Sequence, residues 1–148
     1  GISNMPAFVA LMGRRLAVSV LVDGEKTASV LDRTRAAAKA NRVPEGRIVA
    51  VSEVDAALPR TADIEDLFAV SDYLQLYNWA FRKNVQEEDL PGTNDRIIKK
   101  ITDLEGPYDH ALPAHALTDQ QKDFFSTLDS VSVDRFSALF KMLNKSVG

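Results

Sequence analysis

Cysteine is absent from the chain. Disulfide scaffolds, thiolate nucleophiles and zinc or iron–sulfur sites built on cysteine are therefore excluded, while the redox compartment stays open. Long apolar runs are also missing. None approaches the ~18 residues of a membrane span, and the N-terminus lacks the charged-then-apolar build of a signal peptide. A soluble, cytoplasmic protein with no membrane partner is the expectation. A surplus of positive charge is the third absence: 18 Lys and Arg stand against 21 Asp and Glu, for a net charge of −3 and an isoelectric point near 5.4. Such a chain does not hold nucleic acid by bulk electrostatics, so a polyanion would need a local site or a metal. What is present is ordinary: 148 residues, 45% hydrophobic and 26% charged, enough to bury a core. No internal repeat or low-complexity tract is visible, which removes solenoids and flexible linkers.

The order of elements is α/β first and all-α afterwards. Ser3-Asn4-Met5-Pro6 offers a cap and an early proline to a short helix, Ala7 to Met12, closed by Gly13. The run from Arg15 to Val22 is nearly continuous in apolar residues and stops at Asp23-Gly24, the pattern of a parallel strand covered on both faces. Lys26 to Asn41 reads as a helix with Ala28, Leu31, Thr34 and Ala38 inward and Pro44 beyond its end. Arg47 to Val51 gives a second strand, so residues 15–51 form one right-handed βαβ crossover. Two parallel strands make a poor sheet, and the expectation is that the sheet lacks its first strand and that the natural protein continues upstream of Gly1.

Beyond Val51 an acidic loop leads to Asp63-Ile-Glu65-Asp66. Ser71 is placed to cap a helix to Arg82 that is rich in aromatics (Tyr73, Tyr77, Trp79, Phe81), residues 84–93 read as a loop, and Asn94 opens a helix to Leu104. Thr118 and Gln121 are spaced as a capping box before Phe124 and Phe125. The terminal helix, Val131 to Lys145, aligns Val133, Phe136, Phe140, Leu143 and Val147 on one stripe. The expected organisation is an α/β core over 1–70 and a helical region over 71–148.

Two acidic constellations carry the chemistry. Asp23-Gly24-Glu25 sits where the first strand ends, and in an open parallel sheet the ligand crevice lies outside the carboxyl ends of the strands. Two carboxylates two residues apart there can face one hard cation. The competing reading is an acidic turn in which Asp23 caps the following helix. Asp63-Ile-Glu65-Asp66 follows the second strand and reaches the same sheet edge, which is what a magnesium site needs; the competing reading is a helix start in which Asp63 caps and Glu65 and Asp66 answer the helix dipole.

Leu21-Val-Asp-Gly-Glu25, followed by a helix, a strand and Ala62-Asp-Ile-Glu-Asp-Leu-Phe68 with a Tyr73-Leu74 helix start, resembles the Toprim nuclease domain of the OLD (overcoming lysogenization defect) family of ATP-dependent endonucleases. The resemblance covers most of residues 1–80 and extends more loosely to Tyr108-Asp-His-Ala-Leu-Pro-Ala114 and the helix from Leu128 to Leu143. Gly1-Ile-Ser-Asn looks like the glycine turn after the second strand of that domain. The resemblance implies a Toprim-like parallel sheet and metal-dependent hydrolysis of DNA by magnesium or manganese, with Asp23 and Glu25 as the metal-binding pair and Glu65, with Asp66 beside it, as the third acidic site. It also implies a basic residue near the metals, for which His110, Lys99 and Lys100 are the candidates, DNA as substrate, and an upstream ATPase domain that would hold ATP outside this chain.

Two departures stand out. The second member of the pair is Glu25 where the family has aspartate, and the family's first glutamate would lie upstream of Gly1. The piece by itself is thus expected to bind metal weakly and cut poorly.

Other motifs yield less. Gly24-Glu-Lys-Thr27 lacks the leading glycine of a phosphate loop and has Glu25 between Gly and Lys. His110 and His115 are not at the one-face spacing of metal-binding histidines. The aromatics from Tyr73 to Phe81 suit a core better than a base-stacking platform. A different class of function stays open: a non-catalytic interaction or oligomerisation module, its carboxylates serving as caps and its terminal helix docking on an ATPase or a second copy in a homodimer. A receiver-like phosphorylation domain ranks last, for want of a phospho-acceptor arrangement.

Overall fold

The structure is a computed structural model, and it describes residues 5–12, 19–24, 27–119 and 121–145. It is mixed α/β and mostly helical. In chain order the elements are α1 (Met5–Met12), β1 (Val20–Val22), α2 (Thr27–Ala40), β2 (Ile48–Ala50), α3 (Val70–Phe81), α4 (Ile97–Glu105), α5 (Ala111–Asp119), α6 (Gln121–Thr127) and α7 (Ser130–Lys145). Single turns of tighter helix occupy Glu45–Arg47, Val51–Glu53, Ile64–Leu67 and Glu87–Asp89.

β1 and β2 pair in parallel, with Val20 opposite Ile48, Leu21 opposite Val49 and Val22 opposite Ala50. The continuous apolar runs predict strands covered on both faces, and Ile48, Val49 and Ala50 are all buried. The expected cap at Ser3 or Asn4, Gly13, and the strand start at residues 15–18 lie outside the described residues. α2 turns Val30, Thr34 and Ala38 inward, a fourfold spacing that keeps one face on the core. It ends at Arg42 in a left-handed conformation (φ 56°). Arg42 N–H donates to the Lys39 carbonyl at 3.2 Å and Val43 N–H to the Ala38 carbonyl at 2.9 Å, the paired bonds that close a helix C-terminus.

The chain divides into two compact units, Gly1–Ile64 with Phe136–Gly148, and Glu65–Arg135. The sequence pattern predicts a division after residue 70 with the terminal helix wholly in the second region, whereas here the helix is shared between the two units. In the first unit Val9, Val20, Val22, Val30, Ala38, Val43 and Ile48 form one cluster. The core of the second comprises Tyr73, Leu74, Tyr77, Val85, Ile97, Ile98 and Ile101.

Several local expectations differ from what the chain does. Ser71 lies inside α3, whose start is instead marked by Ala69 N–H donating to Ser132 Oγ at 2.7 Å. Residues 111–119 form α5, unforeseen from sequence, and Thr118 sits within it with its hydroxyl on the Ala114 carbonyl at 3.3 Å. That hydroxyl is thus engaged within α5, and the expected capping box to Gln121 is not formed among the described residues. α7 forms as expected, but its most buried residues are Ser132 and Leu139; of the expected stripe Phe136 and Leu143 are half-buried, Val133 is 47% and Phe140 58% exposed, and Val147 lies outside the described residues. A helix longer than the surface that covers it can rotate so that a small polar residue with a partner lies inward.

Thr34 is fully buried on α2 and its hydroxyl finds no hydrogen-bond partner among the described residues. A buried hydroxyl without a partner costs on the order of 1 kcal/mol or more. Thr34→Val, which keeps the shape and removes the hydroxyl, is expected to raise stability by about 1 kcal/mol in denaturant unfolding; a lower midpoint would contradict this account.

Candidate functional site

The first acidic motif begins where β1 stops. Asp23 follows Val22 directly and is exposed, and its carboxylate has no partner among the described residues. Gly24 has φ +81°, a conformation side chains disfavour. Its N–H donates to the Ala62 carbonyl at 2.9 Å. The loop from β2 therefore returns to the end of β1 and brings Asp63 with it. A Cβ built on Gly24 would stand 2.8 Å from Asp63 Oδ1. The backbone angle favours glycine here, and a side chain would also displace the Asp63 carboxylate.

Asp63 is thus the acidic residue that the first unit sets against Gly24, the neighbour of Asp23 in the chain. Asp63 is itself nearly buried. Its place at the strand end depends on how the 52–62 loop folds, which no local motif encodes; the only sequence signal is that it belongs to the second acidic run. Glu25, the other member of the first pair, lies outside the described residues.

Glu65 and Asp66 belong to the second unit. Glu65 is half-buried, whereas Asp66 is 7% exposed and its Oδ1 accepts the Ile97 N–H at 2.8 Å, at the first residue of α4. Asp66 also has its backbone carbonyl bonded by Arg135 Nη1 at 3.1 Å. The charge that the sequence reading assigned to a metal is here engaged at a helix start. Among the described residues, no group of three His, Asp or Glu side chains converges in a way that could hold a metal ion.

His110 is exposed just before α5. Its ring lies 4.7 Å from that of Tyr108, which in turn meets Tyr77 at 5.1 Å and Phe81 at 5.6 Å, both edge to face. His110 thus sits at the margin of the second unit's aromatic core. Lys99 and Lys100 are half-buried on α4.

Tyr77 is buried beside an ion pair, Lys83 Nζ to Glu105 Oε2 at 2.8 Å. Burial and the Glu105 charge push its phenol above the ordinary value of 10, with Lys83 opposing. Lys83 is raised as well, by its hydrogen bond to Glu105 and by the neighbouring negative charge.

No protein-family model, curated protein or solved structure matches the chain.

Two outcomes are expected. Gly24→Ala should destabilise the protein by roughly 1–2 kcal/mol, measured by thermal unfolding; an unchanged midpoint would mean that the turn relaxes without cost. Because the folded state keeps Tyr77 protonated where an unfolded chain would ionise it, its contribution is complete below pH 10 and declines as pH rises through the higher folded value. An alkaline absorbance titration of Tyr77→Phe should therefore lose a phenol that ionises above pH 10 in the parent; a superimposable curve would refute this.

Proposed function

We propose that this chain is the Toprim-type nuclease part of an OLD-like, ATP-dependent endonuclease, hydrolysing DNA phosphodiester bonds with magnesium or manganese. The observation that carries the reading is the bond from Gly24 N–H to the Ala62 carbonyl, which sets Asp63 against the carboxyl-terminal turn of β1 that presents Asp23. Carboxylates delivered there by two successive strand connections match the general placement of ligands at the edge of a parallel sheet. The donor chemistry fits the ion: oxygen donors, no thiol, and an exposed carboxylate at the mouth.

Asp23 and Asp63 would hold the ion, with Glu25 completing the pair by the family pattern. A bound magnesium or manganese ion supplies an activated water and offsets charge on the scissile phosphate. The protein's own part is positional. Gly24 admits the close approach, the backbone bond ties the loop to the end of β1, and burial of Asp63 limits the room its side chain has, all of which supports the reading. His110, Lys99 and Lys100, the basic candidates that the resemblance names, belong to the second unit, and the reading gives them no place at this site. An upstream ATPase domain and a second copy of the chain are the protein partners this reading names, and the cytoplasm is its compartment.

A second reading, a non-catalytic docking module, draws on the exposure of Val133 and Phe140 along α7. It needs no metal and no DNA. The two separate in one experiment. With manganese titrated by calorimetry and plasmid nicking followed in parallel, Asp23→Ala should lower both binding and cutting by about 100-fold, and Asp63→Asn by about 10–100-fold. Equal binding in the parent and both variants, with no nicking by the parent, would sink the nuclease reading.

A further inference from the structure

The second unit contains a cavity of about 480 Å³ between α3 and the segment that follows it, a volume in the range of small-molecule sites. Its wall is built. α3 ends at Arg82 in a left-handed conformation (φ 53°), and Lys83 N–H returns to the Asn78 carbonyl at 3.1 Å. The Asn78 side chain then holds Val85 at both ends: its Nδ2 donates to the Val85 carbonyl and its Oδ1 accepts the Val85 N–H, each at 2.9 Å. Beyond it Gln86 is tied down as well, its backbone N–H to Asp89 Oδ2 at 2.8 Å and its Nε2 to Asn84 Oδ1 at 3.0 Å. The cavity therefore does not depend on a ligand for its shape.

The groups left over define what it can take. Trp79 lines it, and the chain has one tryptophan. Ser71 and Gln75 line the α3 side, while Glu87 and Glu88 line the other and are exposed, with no ion pair among the described residues. Lys83, the cation at the rim, is already paired with Glu105. The net result is an aromatic ring, hydroxyl and amide groups that can donate or accept, and two glutamates facing one lysine that is already paired with Glu105. A ring face attracts a cation, and carboxylates accept the planar N–H pairs of a guanidinium. A nucleotide would bring its phosphate against Glu87 and Glu88, and an apolar group would strand the polar lining.

We propose that this pocket binds a basic side chain, an arginine-type guanidinium presented by a protein or peptide partner, between Trp79 and the Glu87–Glu88 carboxylates. Nothing in this depends on the metal site or on nuclease activity.

The single tryptophan makes the test direct. Acetyl-arginine amide titrated into the protein should shift Trp79 fluorescence saturably, whereas acetyl-citrulline amide, uncharged and of nearly the same shape, should not. Glu87→Gln with Glu88→Gln should weaken the response by at least about tenfold, the scale expected for losing a charge-assisted contact. Circular dichroism should show these exposed substitutions leaving the fold intact, and Asp89, which caps the turn, is left in place. Absence of a saturable shift, an equal response to citrulline, an equal response in the folded double variant, or saturation by AMP would each overturn the proposal.

Discussion

A carboxylate accepting a backbone N–H is the interaction on which both units rely. Most of this chain is cut into short helices and single turns, and every helix start leaves N–H groups with no partner inside the helix. Acidic side chains meet that demand repeatedly. Asp129 Oδ1 takes the Val131 N–H at 2.8 Å as α7 begins. Asp109 serves Ala111 at the start of α5 at 2.9 Å, Asp66 serves Ile97 at the start of α4, and Glu53 reaches back to Ala50 at the end of β2 at 3.1 Å. In a chain with little sheet to consume its backbone donors, excess acidic residues thus have a structural use before any catalytic one.

The most enclosed case is Asp72. It is 4% exposed on α3, and its Oδ2 accepts both the Asp129 N–H, at 3.1 Å, and a short hydrogen bond from the fully buried Ser132 hydroxyl. Ser132 Oγ in turn accepts the Ala69 N–H. The start of α3 and the start of α7 are thereby locked together by one carboxylate and one hydroxyl. A buried charge is tolerable only with its lone pairs engaged, and here each partner supplies what the next one lacks. This network also accounts for the orientation of α7: Ser132 must face inward to complete it, so Val133 turns outward.

Against that background the carboxylates that are not absorbed become informative. Asp23 stands exposed at the end of β1 beside the glycine turn that Asp63 approaches, and Glu87 and Glu88 stand at the mouth of the cavity lined by Trp79. The two proposals name different partners. Oxygen donors at a strand end suit a hard cation. An aromatic face with exposed carboxylates and no cation left to balance them suits an organic one.

Much of what depended on local pattern was legible in the sequence, α5 and the helix starts near Ser71 and Thr118 excepted. Apolar runs stopping at Asp23 and near Val51 specify strands, since only burial on both faces tolerates such runs. Helix formers between them specify α2, and parallel pairing follows from the crossover. Tyr73 and Tyr77 fall in the core because aromatics at helical spacing share a face. What depends on contacts remote in sequence was decided by the tertiary structure. Asp66 and Ile97 are far apart along the chain, as are Asp72 and Ser132, and no spacing rule connects either pair. The acidic run Asp63-Ile-Glu65-Asp66 announces charge, but the fold alone separates Asp63, set against Gly24, from Asp66, engaged at α4. The physical reason is the same throughout. Propensity and periodicity act over a few residues, whereas the partner of a polar group is whichever backbone donor the packing of the whole unit leaves unsatisfied.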